Sequence, residues 1–133
     1  MATIKCFEDL DSWKMARNLN IKLLPIIKKL DTNKYFDLKG QLERSSGSVM
    51  DNIAEGYERA GNREFIQFLA IAKGSLGEVR SQLYRTYDRK VINEVELEEF
   101  QNECKLLAGK IANFMTYLRR SDIKGEKFKP KSL

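Results

Sequence analysis

Apolar residues recur at three- and four-residue intervals along most of the chain, in four separate runs that each predict an amphipathic helix. The first covers residues 9–30 and places Leu10, Trp13, Ala16, Leu19 or Asn20, Leu23, Ile27 and Leu30 on one side. Pro25 lies inside it. It has no N–H to offer the carbonyl of Ile21, so a kink is expected there. The second run covers residues 37–60, with Asp37 as N-cap and Leu38, Leu42, Val49, Ile53 and Ala60 as its apolar stripe. Gly61-Asn62 ends it, and Asn62 is the expected N-cap of the third run, residues 63–89, which buries Phe65, Phe68, Leu69, Ala72, Leu76, Val79, Leu83 and Tyr87. Asn93-Glu94-Val95-Glu96 has the form of a capping box and opens the fourth run, where Leu97, Phe100, Cys104, Leu107, Ile111, Phe114 and Leu118 keep 3-4 spacing. No stretch alternates as a strand does. Long helices joined by short breaks predict an all-α, antiparallel up-down-up-down four-helix bundle over residues 1–120. Residues 121–133 turn to Lys, Gly and Pro and are expected to be a disordered basic tail.

Two features depart from this regular pattern. On the second helix, Gln41, Arg44, Ser48, Asn52, Glu55 and Arg59 form a polar stripe along the edge of the apolar arc. A solvated face carries long Lys and Glu, whereas short hydrogen-bonding groups in register predict a partner matched group by group. Gln41, Arg44, Ser48, Asn52 and Glu55 are therefore expected in a hydrogen-bonded network at a subunit boundary, the alternative being that they tie the helix to its own neighbours. On the third helix, Ala70, Gly74, Gly77 and Ser81 line a stripe opposite the core side. Each interior helical glycine costs about 0.5–1 kcal/mol relative to alanine, a loss that close approach of another helix would recover. This stripe is the second expected interface. Two unlike faces suit a head-to-tail contact that closes into a ring.

Composition narrows the chemistry. The 133 residues include no histidine, so the commonest general base and metal ligand is absent. Cys6 and Cys104 have no neighbours at metal-ligand spacing and are expected to be reduced thiols. Gly74-Ser75-Leu76-Gly77 falls within a helix, not in a phosphate-cradling loop. No catalytic residue, metal or cofactor is expected. The first nine residues lack the apolar segment of a secretory signal, and no apolar run approaches membrane-span length, so the expectation is a cytoplasmic protein without membrane association.

The net charge is +5, from 24 basic and 19 acidic residues. Arg119, Arg120, Lys124, Lys127, Lys129 and Lys131, against Asp122 and Glu126, concentrate +4 of it after residue 118, leaving the body near neutral. Charge alone is thus weak evidence for a nucleic-acid partner. The aromatics fall mostly on core stripes, so no stacking platform for single strands is evident.

Gln41-Leu42, Arg44-Ser45-Ser46, Ser48-Val49, Asn52-Ile53-Ala54-Glu55-Gly56, Arg59, Glu64, Phe68-Leu69, Ile71-Ala72 and Gly74-Ser75 resemble the signature of the bacterial four helix bundle protein family, also called the 23S rRNA intervening-sequence protein family. The resemblance runs from about Phe7 to Arg120. It implies a four-helix bundle. A more distant resemblance, to the accessory variability determinant of diversity-generating retroelements, implies a homopentamer that binds nucleic acid. On that reading Arg80, Arg85, Arg89, Arg119 and Arg120 are the expected phosphate contacts, repeated around a ring, with RNA or DNA as ligand. The alternative is a scaffold that binds a partner protein and no nucleic acid.

Overall fold

The computed structural model describes residues 4–123 and contains four long helices, α1 (Asp11–Thr32), α2 (Phe36–Glu58), α3 (Asn62–Asp88) and α4 (Glu94–Ile123). A short 3₁₀ turn, Phe7–Asp9, precedes α1 and sets the Phe7 ring edge-on to Trp13 at 5.1 Å. There is no strand among the described residues. The chain is an all-α four-helix bundle, as the periodicity predicts.

Side-chain pairings give the topology directly. Lys39 reaches Asp31 and Asn20 donates to the Ser46 carbonyl, so α1 and α2 are antiparallel. Ser45 meets Gln82 and Ser48 meets Ser75, so α2 and α3 are too. Arg80 pairs with Gln101, and Phe65 packs on Phe114 at 5.0 Å. Lys110 approaches Asp11, and Lys22 approaches Glu103. Neighbours in sequence are thus neighbours in space, and α1 and α4 close the bundle with the lightest contact of the four pairs.

The core is continuous. Leu19, Leu23, Leu38, Leu42, Ile53, Leu69, Leu76, Leu83, Leu107, Ile111 and Leu118 are fully buried at its centre. Most of the expected stripe residues are buried, and Ile26 and Met115 join them. Ala60 does not; it is exposed in the short α2–α3 connection.

Helix ends differ from expectation in detail. Tyr35, not Asp37, occupies the N-cap of α2, and Asp37 sits in the first turn, where its charge complements the dipole. Gly61 is the N-cap of α3, and Asn62 is its first helical residue, buried. The capping box at α4 is present in both directions: Asn93 Oδ1 accepts from Glu96 N at 2.8 Å, and Glu96 Oε1 accepts from Asn93 N at 3.1 Å. α1 continues through Pro25, which lies exposed, as does Ile21, where water can reach the carbonyl that Pro25 leaves unbonded. α4 extends to Ile123; the expected tail beyond it lies outside the described residues.

α1 and α3 end alike. Tyr35 N–H reaches Leu30 O and Lys34 N–H reaches Asp31 O; Val91 N–H reaches Thr86 O and Lys90 N–H reaches Tyr87 O. Both are Schellman motifs, and both put lysine at the left-handed position that glycine favours, with φ of 65° at Lys34 and 63° at Lys90.

Candidate functional site

The polar stripe of α2 finds its match on α3. Ser48 Oγ lies 2.8 Å from Ser75 Oγ, and Asn52 Nδ2 donates to both Ser48 O and Ser48 Oγ at 2.8 Å. Three residues toward the start of α2, Ser45 Oγ bonds Gln82 Oε1 where both side chains are buried. Farther along, Arg85 donates to Gln41 Oε1 at 2.6 Å. The result is a ladder of short polar groups between two antiparallel helices, each satisfied within one chain.

Arg44 and Glu55 lie outside this ladder. Both are exposed; the Arg44 guanidinium folds back toward Gly40, and Glu55 pairs with Arg59 at 2.8 Å. Arg59 also covers the Phe68 ring at 5.0 Å. Of the five stripe residues expected at a subunit boundary, Gln41, Ser48 and Asn52 are thus bonded within the protomer, and Arg44 and Glu55 face outward.

On the outer side of α3, Ala70, Gly74, Gly77 and Ser81 are all exposed. A Cβ added at Gly74 or Gly77 would meet nothing within 4 Å. Ile71, beside them, is also exposed.

The five arginines do not converge. Arg80 is half-buried and locked to α4: its Nε donates to Gln101 Oε1 at 2.9 Å while Gln101 Nε2 returns a bond to the Arg80 carbonyl at 2.8 Å. Arg85 occupies the last turn of α3 and Arg89 is its C-cap, at the bundle end that holds the α1–α2 and α3–α4 connections. Arg119 and Arg120 are exposed near the close of α4, at the opposite end, about 40 Å away at 1.5 Å per helical residue.

At the first of these ends Lys39 is paired with Asp31 at 3.1 Å, whereas two arginines have neutral partners. Arg85 bonds the Gln41 amide, and the Arg89 guanidinium rests over the Tyr35 ring at 4.8 Å. Among the described residues, none of Lys34, Arg85, Arg89 and Lys90 is in an ion pair. Elsewhere positive charge is compensated, at Lys22–Glu103, Arg59–Glu55 and Lys110–Asp11. Three large aromatics are exposed as well: Phe36, Tyr84 and Tyr117. None of the three lies on a predicted core stripe, so they are the aromatics that the helical spacing leaves outside the core.

Cys104 is fully buried, and burial pushes its thiol up to about 12, so it stays protonated. Among the described residues no group of three or more His, Cys, Asp or Glu side chains could hold a metal ion, and no helix is long and apolar enough to cross a membrane.

Residues 8–113 match the family model described as "23S rRNA-intervening sequence protein". Among solved structures, the chain resembles the crystal structure of a protein of unknown function from the S23 ribosomal protein family of Bacteroides thetaiotaomicron VPI-5482. The TM-score is 0.74 at 20% identity, covering 78% of this chain and 97% of that one, a likeness of fold. No curated protein matches the chain.

Proposed function

The chain belongs to the 23S rRNA-intervening sequence protein family, and on that footing we propose that it is a non-enzymatic, self-associating helical bundle that binds nucleic acid. The observation that carries this reading is the end of the bundle where Lys34, Arg85, Arg89 and Lys90 carry positive charge with no acidic partner among the described residues. Cations bonded to amide and ring keep their full charge for phosphate, and counterion release from the ligand supplies the affinity. Arg85 and Arg89 are the primary contacts of this proposal. Arg119 and Arg120 form a second, separate site, and Arg80 acts in the α3–α4 tie.

Self-association is assigned to the outer face of α3. Ala70, Gly74, Gly77 and Ser81 keep that face shallow, and Ile71 adds exposed apolar surface beside it. Repetition of the basic end in an oligomer multiplies weak individual contacts into avid binding. The pentamer comes from the retroelement resemblance alone. The absence of histidine from the sequence supports a non-enzymatic role.

The scaffold reading has one observation of its own: Val95, Leu106 and Tyr117 are exposed on α4, and Leu106, at 70%, lines a hollow with Met15, Asn18 and Lys22 of α1. A gel-shift assay with the full chain separates the two. Nucleic-acid binding predicts a shifted RNA band that is lost on combined charge reversal of Arg85 and Arg89 and only weakened by reversal of Arg119 and Arg120. A scaffold predicts no shift for any of them.

A further inference from the structure

We propose that the basic end of the bundle reads unpaired RNA, with Phe36 as the surface on which a base stacks and Arg85 and Arg89 holding the flanking phosphates. This rests on the nucleic-acid reading above and narrows it to single strands.

The Schellman motif at the end of α1 fixes Lys34 at φ 65° and sends the chain straight into α2. Tyr35 is drawn inward and packs against the core, whereas Phe36, the first residue of α2, is left 59% exposed. A phenyl ring in that position has no preceding helical turn to cover it. Isolated exposed apolar residues are ordinary. This one differs in its surroundings: Lys34 is two residues before it, and Tyr35 directly before it carries the Arg89 guanidinium at 4.8 Å. Arg85, one turn earlier on α3, is fixed to α2 through Gln41 at 2.6 Å.

An exposed aromatic at the bundle end that also holds Lys34, Arg85, Arg89 and Lys90, none of them ion-paired among the described residues, suits a nucleotide with its base free. A duplex hides its base faces in the stack and offers only phosphates and groove edges. An unpaired nucleotide offers a π-face to Phe36 while its phosphates reach the arginines. Asp37 and Asp88 lie in the adjoining helix turns, and Asp31 takes up the charge of Lys39, so phosphate attraction alone is modest and stacking must supply selectivity.

Fluorescence anisotropy with the full chain tests this, using an unstructured 12-nucleotide RNA and a blunt RNA duplex of equal length. The single strand should bind more tightly. Phe36→Ala should weaken single-strand binding about tenfold, within the range for loss of one stacked base, and leave the salt dependence unchanged. Phe36→Trp should restore it, and Tyr117→Ala, an exposed aromatic at the opposite end, should have no effect. Equal affinity for strand and duplex, or single-strand binding untouched by Phe36→Ala, would overturn the inference while leaving nucleic-acid binding in place. Absence of binding to either RNA at low salt would overturn both.

Discussion

Ser48 on α2 and Ser75 on α3 place their hydroxyl oxygens 2.8 Å apart, and Asn52 donates to Ser48 from one turn below. A hydroxyl has one proton to give and two lone pairs. Ser48 can therefore accept from Asn52 while it bonds Ser75, and the three side chains form one unit. Ser48→Ala is expected to destabilise by about 1–2 kcal/mol because the buried Ser75 and the half-buried Asn52 lose a partner. Adding Ser75→Ala should cost less than the two single changes summed, by at least about 0.5 kcal/mol in a double-mutant cycle followed by urea unfolding. Additive losses would mean that the contact is idle.

The glycines divide into two classes. A Cβ at Gly56 would lie 2.8 Å from Phe65 Cδ1 and 2.9 Å from Phe68 Cβ, at the close packing of α2 on the first turns of α3. Gly56→Ala should lower stability by about 1–3 kcal/mol, as overpacked sites do. Gly74→Ala and Gly77→Ala meet open space and should raise intrinsic helix stability by about 0.5–1 kcal/mol each. Gly74→Leu together with Gly77→Leu should reduce the mass measured by light scattering. A monomeric mass for the unmutated protein would remove self-association from the proposal.

Lys34→Gly and Lys90→Gly should each stabilise the fold by about 0.5–1 kcal/mol, since left-handed backbone strains any residue with a Cβ. Thermal unfolding would register a rise of a few degrees per site. The same changes remove two cations from the basic end, so RNA affinity should fall as stability rises. Such opposition is the mark of strain retained at a functional place.

Cys104, buried with its thiol pushed up to about 12, should resist thiol reagents in the native protein at pH 8, whereas Cys6, only partly covered, should react. Labelling followed by mass spectrometry should show one modified cysteine natively and two in denaturant. Leu76→Ala or Leu107→Ala, each costing about 2–5 kcal/mol, should accelerate Cys104 modification by populating open states.

Much of this architecture is written in residue spacing. The four helices, their order and the Asn93–Glu96 capping box follow from where apolar and capping residues stand, because those interactions are local. What spacing lacks is the identity of a partner. The Gln41–Glu55 stripe says that short polar groups are matched, but only the α2–α3 pairing reveals Ser75, Gln82 and Arg85 as the other side. The arginines illustrate the same limit: Arg80, Arg85 and Arg89 share a helix, yet Gln101 takes the first into the α3–α4 seam.

Phosphate recognition is assigned to the bundle end formed by Lys34, Arg85, Arg89 and Lys90. The direct measurement is RNA affinity by anisotropy at monovalent salt from about 50 to about 200 mM, for the parent and for Arg85→Glu with Arg89→Glu. The parent should show a log–log plot of affinity against salt with a clearly negative slope, and the double reversal should make it shallower by about two units, one per lost contact. Affinity that does not change with salt, or a slope that the double reversal leaves intact, would contradict it.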